Sequence, residues 1–166
     1  TTRCRGDNTA PSGLHDLWTS TEPDWKHTRD LIMTNHEVIA FKSCFPASLI
    51  ISTDMLNEYK QWYTDMLSFF DQHPEKLFVV MSTPPLHRLA TDAASAKRAR
   101  AFANWLKSAQ YLGARRNVVC FGVFDLLAHP DDGSASANKL RWEYEGSHTS
   151  DDSHPNTAAN RIVGPA

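Results

Sequence analysis

Three short apolar runs constrain this chain more than any other feature: "EVIAFKS" at 37–43, "LFVVMS" at 77–82 and "NVVCFGVF" at 117–124. All three are β-prone and close to continuously apolar, the pattern of strands buried on both faces. Longer stretches of helical period separate them. From Asp54 to about Gln72, the residues Leu56, Tyr59, Tyr63, Met66, Leu67 and Phe70 fall on one helical face. Thr91 or Asp92 caps the next helix, Ala99, Phe102, Ala103, Leu106 and Ala109 form its inward stripe, and Gly113 ends it. An earlier helix starts at "TEPD" (21–24) and runs to about Asn35, with Thr21 as cap and Pro23 in the first turn. This alternation predicts an α/β fold, a three-layer α/β/α arrangement with a mostly parallel sheet and helices on both faces.

The remaining segments read as connections. Residues 1–20 carry Gly6-Asp7-Asn8, Pro11 and Ser12-Gly13 and are expected to form an irregular lead-in. Lys97, Arg98 and Arg100 read as a solvated helix face. "HPDDGSASAN" (129–138) reads as an exposed loop, and "KLRWEYEG" (139–146) as a short strand or part of a lid. Pro155 is expected to start a last helix through Ile162.

Composition excludes several classes. The chain has 166 residues, 41% apolar and 22% charged, which suits one globular domain rather than a disordered segment. Its net charge of −2 offers no broad basic field, so nucleic acid is not expected as a partner. No apolar run approaches the ~20 residues of a membrane-spanning helix. The N-terminal stretch has no apolar core of a signal peptide, although cleavage of one before residue 1 stays open. Cys4, Cys44 and Cys120 show no CxxC or metal-knuckle spacing. At most one disulfide can form among them. Cys120 reads as a buried small hydrophobe, and the compartment is left open.

Sites in parallel sheets gather at the carboxyl ends of the strands. Three segments meet that description: "KSCFPAS" (42–48), "STPPLHR" (82–88) and the loop "TSDDSHPNTAAN" (149–160). In the last, Asp151 and His154 are spaced as an acid–base pair. A neutral imidazole can take a proton from a hydroxyl nucleophile and return it to a leaving group. A carboxylate on its other nitrogen fixes the tautomer and stabilises the imidazolium. Asp152 competes with Asp151 for that role. The plainer alternative is a capped helix start, with Asp152 or Ser153 as N-cap and His154 merely exposed. His148, Asp151, Asp152 and His154 also offer mixed N/O ligands, but at a spacing that matches no strong metal signature.

Ser43 and Cys44 interrupt the first apolar run where the sheet meets its cleft. Backbone N–H groups there are candidates to face an oxyanion. Nothing in the sequence lowers the Cys44 pKa, and no glycine-bounded turn surrounds Ser43, so neither reads as the nucleophile. His87, just past a strand end, is read as structural.

With these residues in order, the chain resembles the SGNH (GDSL-like) hydrolases, three-layer α/β/α esterases and acyl hydrolases. The resemblance rests on "FKSCFPAS", "STPPLHRLATD", "RARAFANWLK" and "DDSHPNTAAN", and covers nearly the whole chain. It implies that Asp151 and His154 belong to the Asp-x-x-His block, followed by Pro155-Asn156. The nucleophilic serine that the family carries after its first strand has no match here. Gly6-Asp7-Asn8 has Asn where that serine would stand, and "KSCF" replaces the usual Gly-x-Asn-Asp block. The expectation is therefore a single domain over 1–166, cut at both ends and lacking its first strand, with the serine supplied by a complementing segment or chain.

The resemblance implies an ester hydrolase of the acetyl or short-acyl type. It would need no cofactor and would act on a small-molecule or carbohydrate ester. Secretion would suit a polymer-acting esterase. The alternative is a non-catalytic domain on the same fold, binding carbohydrate through Trp18, Trp25, Trp142 and Tyr144.

Overall fold

The computed structural model describes residues 9–166. Cys4 and the residues Gly6-Asp7-Asn8 lie outside the described residues. The order of elements is α1 (Pro11–Thr19), α2 (Pro23–Asn35), β1 (Val38–Phe41), a 3-10 turn (Phe45–Ser48), α3 (Thr53–Phe70), β2 (Leu77–Met81), α4 (Ala93–Leu106), α5 (Ala109–Leu112), β3 (Val118–Phe121), α6 (Val123–Leu127), a second 3-10 turn (Trp142–Tyr144) and α7 (Thr157–Val163). The three apolar runs form one parallel sheet in the order β1-β2-β3. Val38 pairs with Leu77 and Phe78 with Val118 at the start of each ladder. The fold is α/β with a parallel sheet, consistent with the three-layer plan. No described helix is long and apolar enough to cross a membrane.

The sheet divides its side chains by parity. Ile39, Phe78, Val80 and Val118 turn into the main core, where they meet α1, α3, α4 and α5. Tyr63, Met66, Phe70 and Leu106 are fully buried there. Met81 and Phe121 turn the other way and pack on a smaller cluster of Val123, Leu127, Leu140 and Ala159. That cluster, built by α6 and α7, covers only the carboxyl ends of the strands. Toward their amino ends the same face stays open: Val38 is 58% and Val119 41% exposed, and Ala40 is exposed as well. Leu77 N–H donates to the Glu37 carbonyl. By the alternation of a parallel ladder, Val38 and Ala40 then direct their backbone groups to the outer edge of β1. Among the described residues no strand pairs there.

Local chemistry sets the helix limits. Ser52 caps α3 by accepting from Met55 N–H, and Asp92 caps α4 by accepting from Ser95 N–H. Gly113, at φ 59° and ψ −139°, takes a positive-φ conformation open to glycine, and α5 stops there.

Three expectations need correction. The lead-in is not irregular throughout, because Pro11–Thr19 is a helix. Pro11 occupies the first turn, where a missing N–H costs nothing, and Ser12-Gly13 lie inside rather than in a turn. Second, Arg98 and Arg100 are not a solvated face. Arg98 donates to the carbonyls of Ile50 (2.6 Å) and Ile51 (2.8 Å). Arg100 donates to Asn138 Oδ1 (2.7 Å) and the His129 carbonyl (3.1 Å), and pairs with Asp125. Each arginine satisfies carbonyls of a loop that has no ladder of its own. Third, residues 139–146 contain a 3-10 turn and isolated bridges, Ala128 to Leu140 and Glu145 to Pro155, instead of a strand.

Trp18 is the centre of the main core, 1% exposed and within 5.3–5.6 Å of the rings of Phe41, Phe69, Phe70 and Phe78. It joins α1 to the sheet, and its loss would leave a cavity that four aromatic rings cannot fill. Trp18→Ala should lower unfolding free energy by about 3–5 kcal/mol in urea titration. An unchanged midpoint would mean that α1 is not part of the cooperative core.

Candidate functional site

The three expected strand-end segments meet. Ser48 Oγ donates to the Pro84 carbonyl (2.7 Å), which ties the first to the second. His87 N–H donates to Ser153 Oγ (3.0 Å), which ties the second to the third. The rings of Phe45 and His154 meet edge to face with centroids 4.6 Å apart, which closes the triangle. A groove of about 460 Å³ runs between them. Its walls are Phe45, Pro46, Leu49, Leu86 and Ala90, and Asp151, Asp152 and Ser153 form its polar side.

Behind this groove sits a buried ionic cluster centred on Glu145, whose side chain is 1% exposed. Arg88 Nη1 donates to both carboxylate oxygens, at 2.9 and 2.7 Å. His148 Nδ1 lies 2.8 Å and His87 Nε2 3.0 Å from Oε2. His87 Nδ1 accepts from the Leu89 N–H (3.1 Å), so its proton is on Nε2 and points at Glu145. Arg88 Nη1 also lies 2.9 Å from His87 Nε2, so both donors converge on the same carboxylate. Arg88 Nη2 reaches the His148 carbonyl at 2.6 Å. Trp142 stacks on the His148 ring at 3.7 Å, and the Arg88 guanidinium lies 4.7 Å from the Trp142 ring centre. Burial pushes the Glu145 carboxyl up, but hydrogen bonds from His148 and Arg88 and the charge of Arg88 outweigh it and hold it below the ordinary value.

This cluster positions the site loop. Residues 143–145 are fixed by Glu145, and Asn156 Nδ2 donates to the carbonyls of Glu143 (2.9 Å) and Glu145 (3.0 Å). Asn156 Oδ1 meanwhile caps α7, accepting from Ala158 and Ala159 N–H. The stretch 146–154 is thus closed at its base. A Cβ at Gly146 would stand 3.0 Å from the His154 carbonyl, a close approach of the two ends of the loop. The N-cap of α7 is Asn156 and not Asp152 or Ser153, so the simple helix-cap explanation of "DDSHP" fails. Ser153 is buried and spent on His87.

His154 itself is 70% exposed. Its Nδ1 lies 2.6 Å from Asp152 Oδ1, and its backbone N–H donates to the same oxygen (3.0 Å). The carboxylate that orients the ring is therefore Asp152, and not Asp151 as the Asp-x-x-His block implied. The reason is local: Asp152 accepts from both groups of the residue two places on, a tight turn that Asp151 is one residue too far away to make. These bonds, the backbone one first, hold the Asp152 carboxyl below its ordinary range. Asp151 lines the groove. No described residue bonds His154 Nε2, so that nitrogen is open to a ligand.

Ser43 and Cys44 do not line this groove. Ser43 is fully buried, with Oγ 3.1 Å from the Tyr63 hydroxyl. Burial pushes that phenol up to about 12, which keeps it a neutral hydrogen-bond partner. Cys44 N–H donates to the Thr9 carbonyl (3.2 Å), so it is not available to an oxyanion. Its side chain faces a separate small pocket with Pro11, Ala47 and Tyr59. Cys44 and Cys120 are free thiols, and burial pushes Cys120 up to about 11.

Among the described residues, no group of three or more His, Cys, Asp or Glu is placed to hold a metal ion. Of the four possible ligands in the loop, His148 is taken by Glu145 and His154 by Asp152. Trp18 is in the core, so it cannot stack on a sugar, whereas Trp142 is 51% exposed.

Sequence reasoning missed the Glu145 cluster. Its one visible signal was "HR" at 87–88, at the end of the segment that follows β2, with two acidic residues and a Trp in 142–145; nothing in the spacing said that they meet. Compared with family models, with curated proteins and with solved structures, the chain matches none.

Glu145→Gln should leave Arg88 without its counter-charge and cost about 3 kcal/mol. The pH dependence follows from the depressed carboxyl. Its stabilisation is complete above the ordinary value of 4.5 and is lost as pH falls through the lower folded-state value. Wild-type stability should decline in that acid window, and the variant should lack this part of the decline. Parallel curves for the two proteins would show that Glu145 carries no net stabilisation.

Proposed function

We propose that this chain is the acid–base half of a serine ester hydrolase on the SGNH plan, acting on acetyl or short-acyl esters. The observation that supports it most is the Asp152–His154 pair at the edge of a groove built from the segments that follow β1 and β2 and from the loop before α7. Asp152 on Nδ1 sets the tautomer that leaves a lone pair on Nε2, which is what a general base needs. The nucleophilic serine would come from a complementing segment or chain. The open outer edge of β1, beside exposed Val38 and Ala40, offers a strand its place.

The steps follow from general chemistry. His154 Nε2 takes the serine proton as Oγ bonds to the ester carbonyl carbon. The tetrahedral intermediate collapses, its C–O bond breaks, and the alcohol leaves with the proton from His154. Water then adds to the acyl carbonyl and its proton passes to His154; as the bond from that carbon to serine Oγ breaks, His154 returns the proton to Oγ and the free acid leaves. No cofactor enters this sequence.

Trp142 favours a second reading, a carbohydrate-binding domain without catalysis, since its indole is 51% exposed although the His148 ring already stacks on it. Turnover separates the two. Full-length protein should hydrolyse p-nitrophenyl acetate, and His154→Ala should reduce kcat/KM by about 10²–10⁴-fold. Asp152→Asn should fall well below Asp151→Asn. Equal turnover by wild type and His154→Ala rejects the hydrolase assignment. An Asp151→Asn loss larger than that of Asp152→Asn rejects Asp152 as the orienting carboxylate.

A further inference from the structure

We infer that the groove beside His154 is an acyl-chain subsite, selecting an apolar chain of a neutral ester over acetyl groups and over anions; this rests on the hydrolase reading above and names the substrate class of the same site. The walls are aliphatic or aromatic on every side except one. Phe45 and Pro46 come from the turn after β1, Leu49 from its end, and Leu86 and Ala90 from the segment after β2. Leu49 is 39% exposed and lines the groove. An acetyl group would touch only a small part of these walls. A hexanoyl chain would remove more of that apolar surface, and its own, from water.

Position supports the same conclusion. Phe45 is shared: it lines the groove and packs edge-on against the His154 ring. A chain lying along Phe45 therefore has one end beside His154, where an ester carbonyl would need to be. The polar side is acidic. Asp152 is paired with His154, while Asp151 has no cationic partner among the described residues. Its charge opposes a carboxylate or phosphate in the groove and does not oppose a neutral ester.

Binding and hydrolysis can be tested separately. The probes are hexanamide, acetamide and hexanoate, none of which contains an ester bond. Binding to the full-length protein is followed by NMR, through the methyl signals of Leu49, Leu86 and Ala90. Hexanamide should saturate these shifts at roughly tenfold lower concentration than acetamide, and hexanoate should bind more weakly than hexanamide. Leu49→Asp, at an exposed position, should weaken hexanamide roughly tenfold, with the thermal midpoint confirming the fold. Ala90→Trp, which fills the groove, should do the same. Equal affinity for acetamide and hexanamide, tighter binding of hexanoate, or shifts that ignore both substitutions would overturn the subsite. Selective hexanamide binding in a protein that hydrolyses neither p-nitrophenyl acetate nor p-nitrophenyl hexanoate would keep the subsite and reject the hydrolase.

Discussion

The buried Glu145 carboxylate is the interaction on which the site depends. Burying a carboxylate is costly unless donors and a counter-charge meet it. Here Arg88, His87 and His148 all do. Arg88 and His87 lie just past β2, whereas Glu145 and His148 belong to the last loop, so the cluster holds that loop against the strand ends. A segment of such polar composition has little apolar surface with which to hold itself in place. The ionic cluster and the two-sided amide of Asn156 supply what packing does not.

A fixed base of the loop leaves its tip free to present groups outward. Ser153 turns inward to His87, and this turns its neighbours Asp152 and His154 toward the solvent and the groove. The site is accordingly divided between a rigid support and an exposed pair, which suits the proposed general base, a group that must be both oriented and reachable. The aromatic contact from Phe45 adds a second constraint on the imidazole. Thus the sheet, through its first strand end, also bears on the orientation of His154.

Much of the fold was legible because it rests on periodicity. The three apolar runs, the α3 face from Leu56 to Phe70 and the Asp92 cap of α4 follow local rules that tertiary context did not override. Helix α1 was missed because Pro11, Ser12 and Gly13 are turn residues by composition, and only the burial of Trp18 against four rings makes that stretch helical. Arg98 and Arg100 were misread for a similar reason: a helix face with three basic residues looks solvated until the loops that need donors are placed beside it. In the site, the convergence of strand ends follows from topology and was legible. The choice between Asp151 and Asp152 was not, since it turns on one residue of reach within a loop. The Glu145 cluster joins residues far apart in sequence, and no spacing rule anticipates it. The open amino-terminal half of the second sheet face was likewise invisible, because Val38, Ala40 and Val119 read as buried strand residues.

The central claim is that Asp152 orients His154 as a base with its free lone pair on Nε2. The most direct test is the ring-nitrogen NMR of His154 in the neutral imidazole at high pH. Nδ1 should be protonated and Nε2 unprotonated, a preference that Asp152→Asn weakens and Asp151→Asn leaves intact. A proton on Nε2, or a tautomer that responds to Asp151 and not to Asp152, would contradict it.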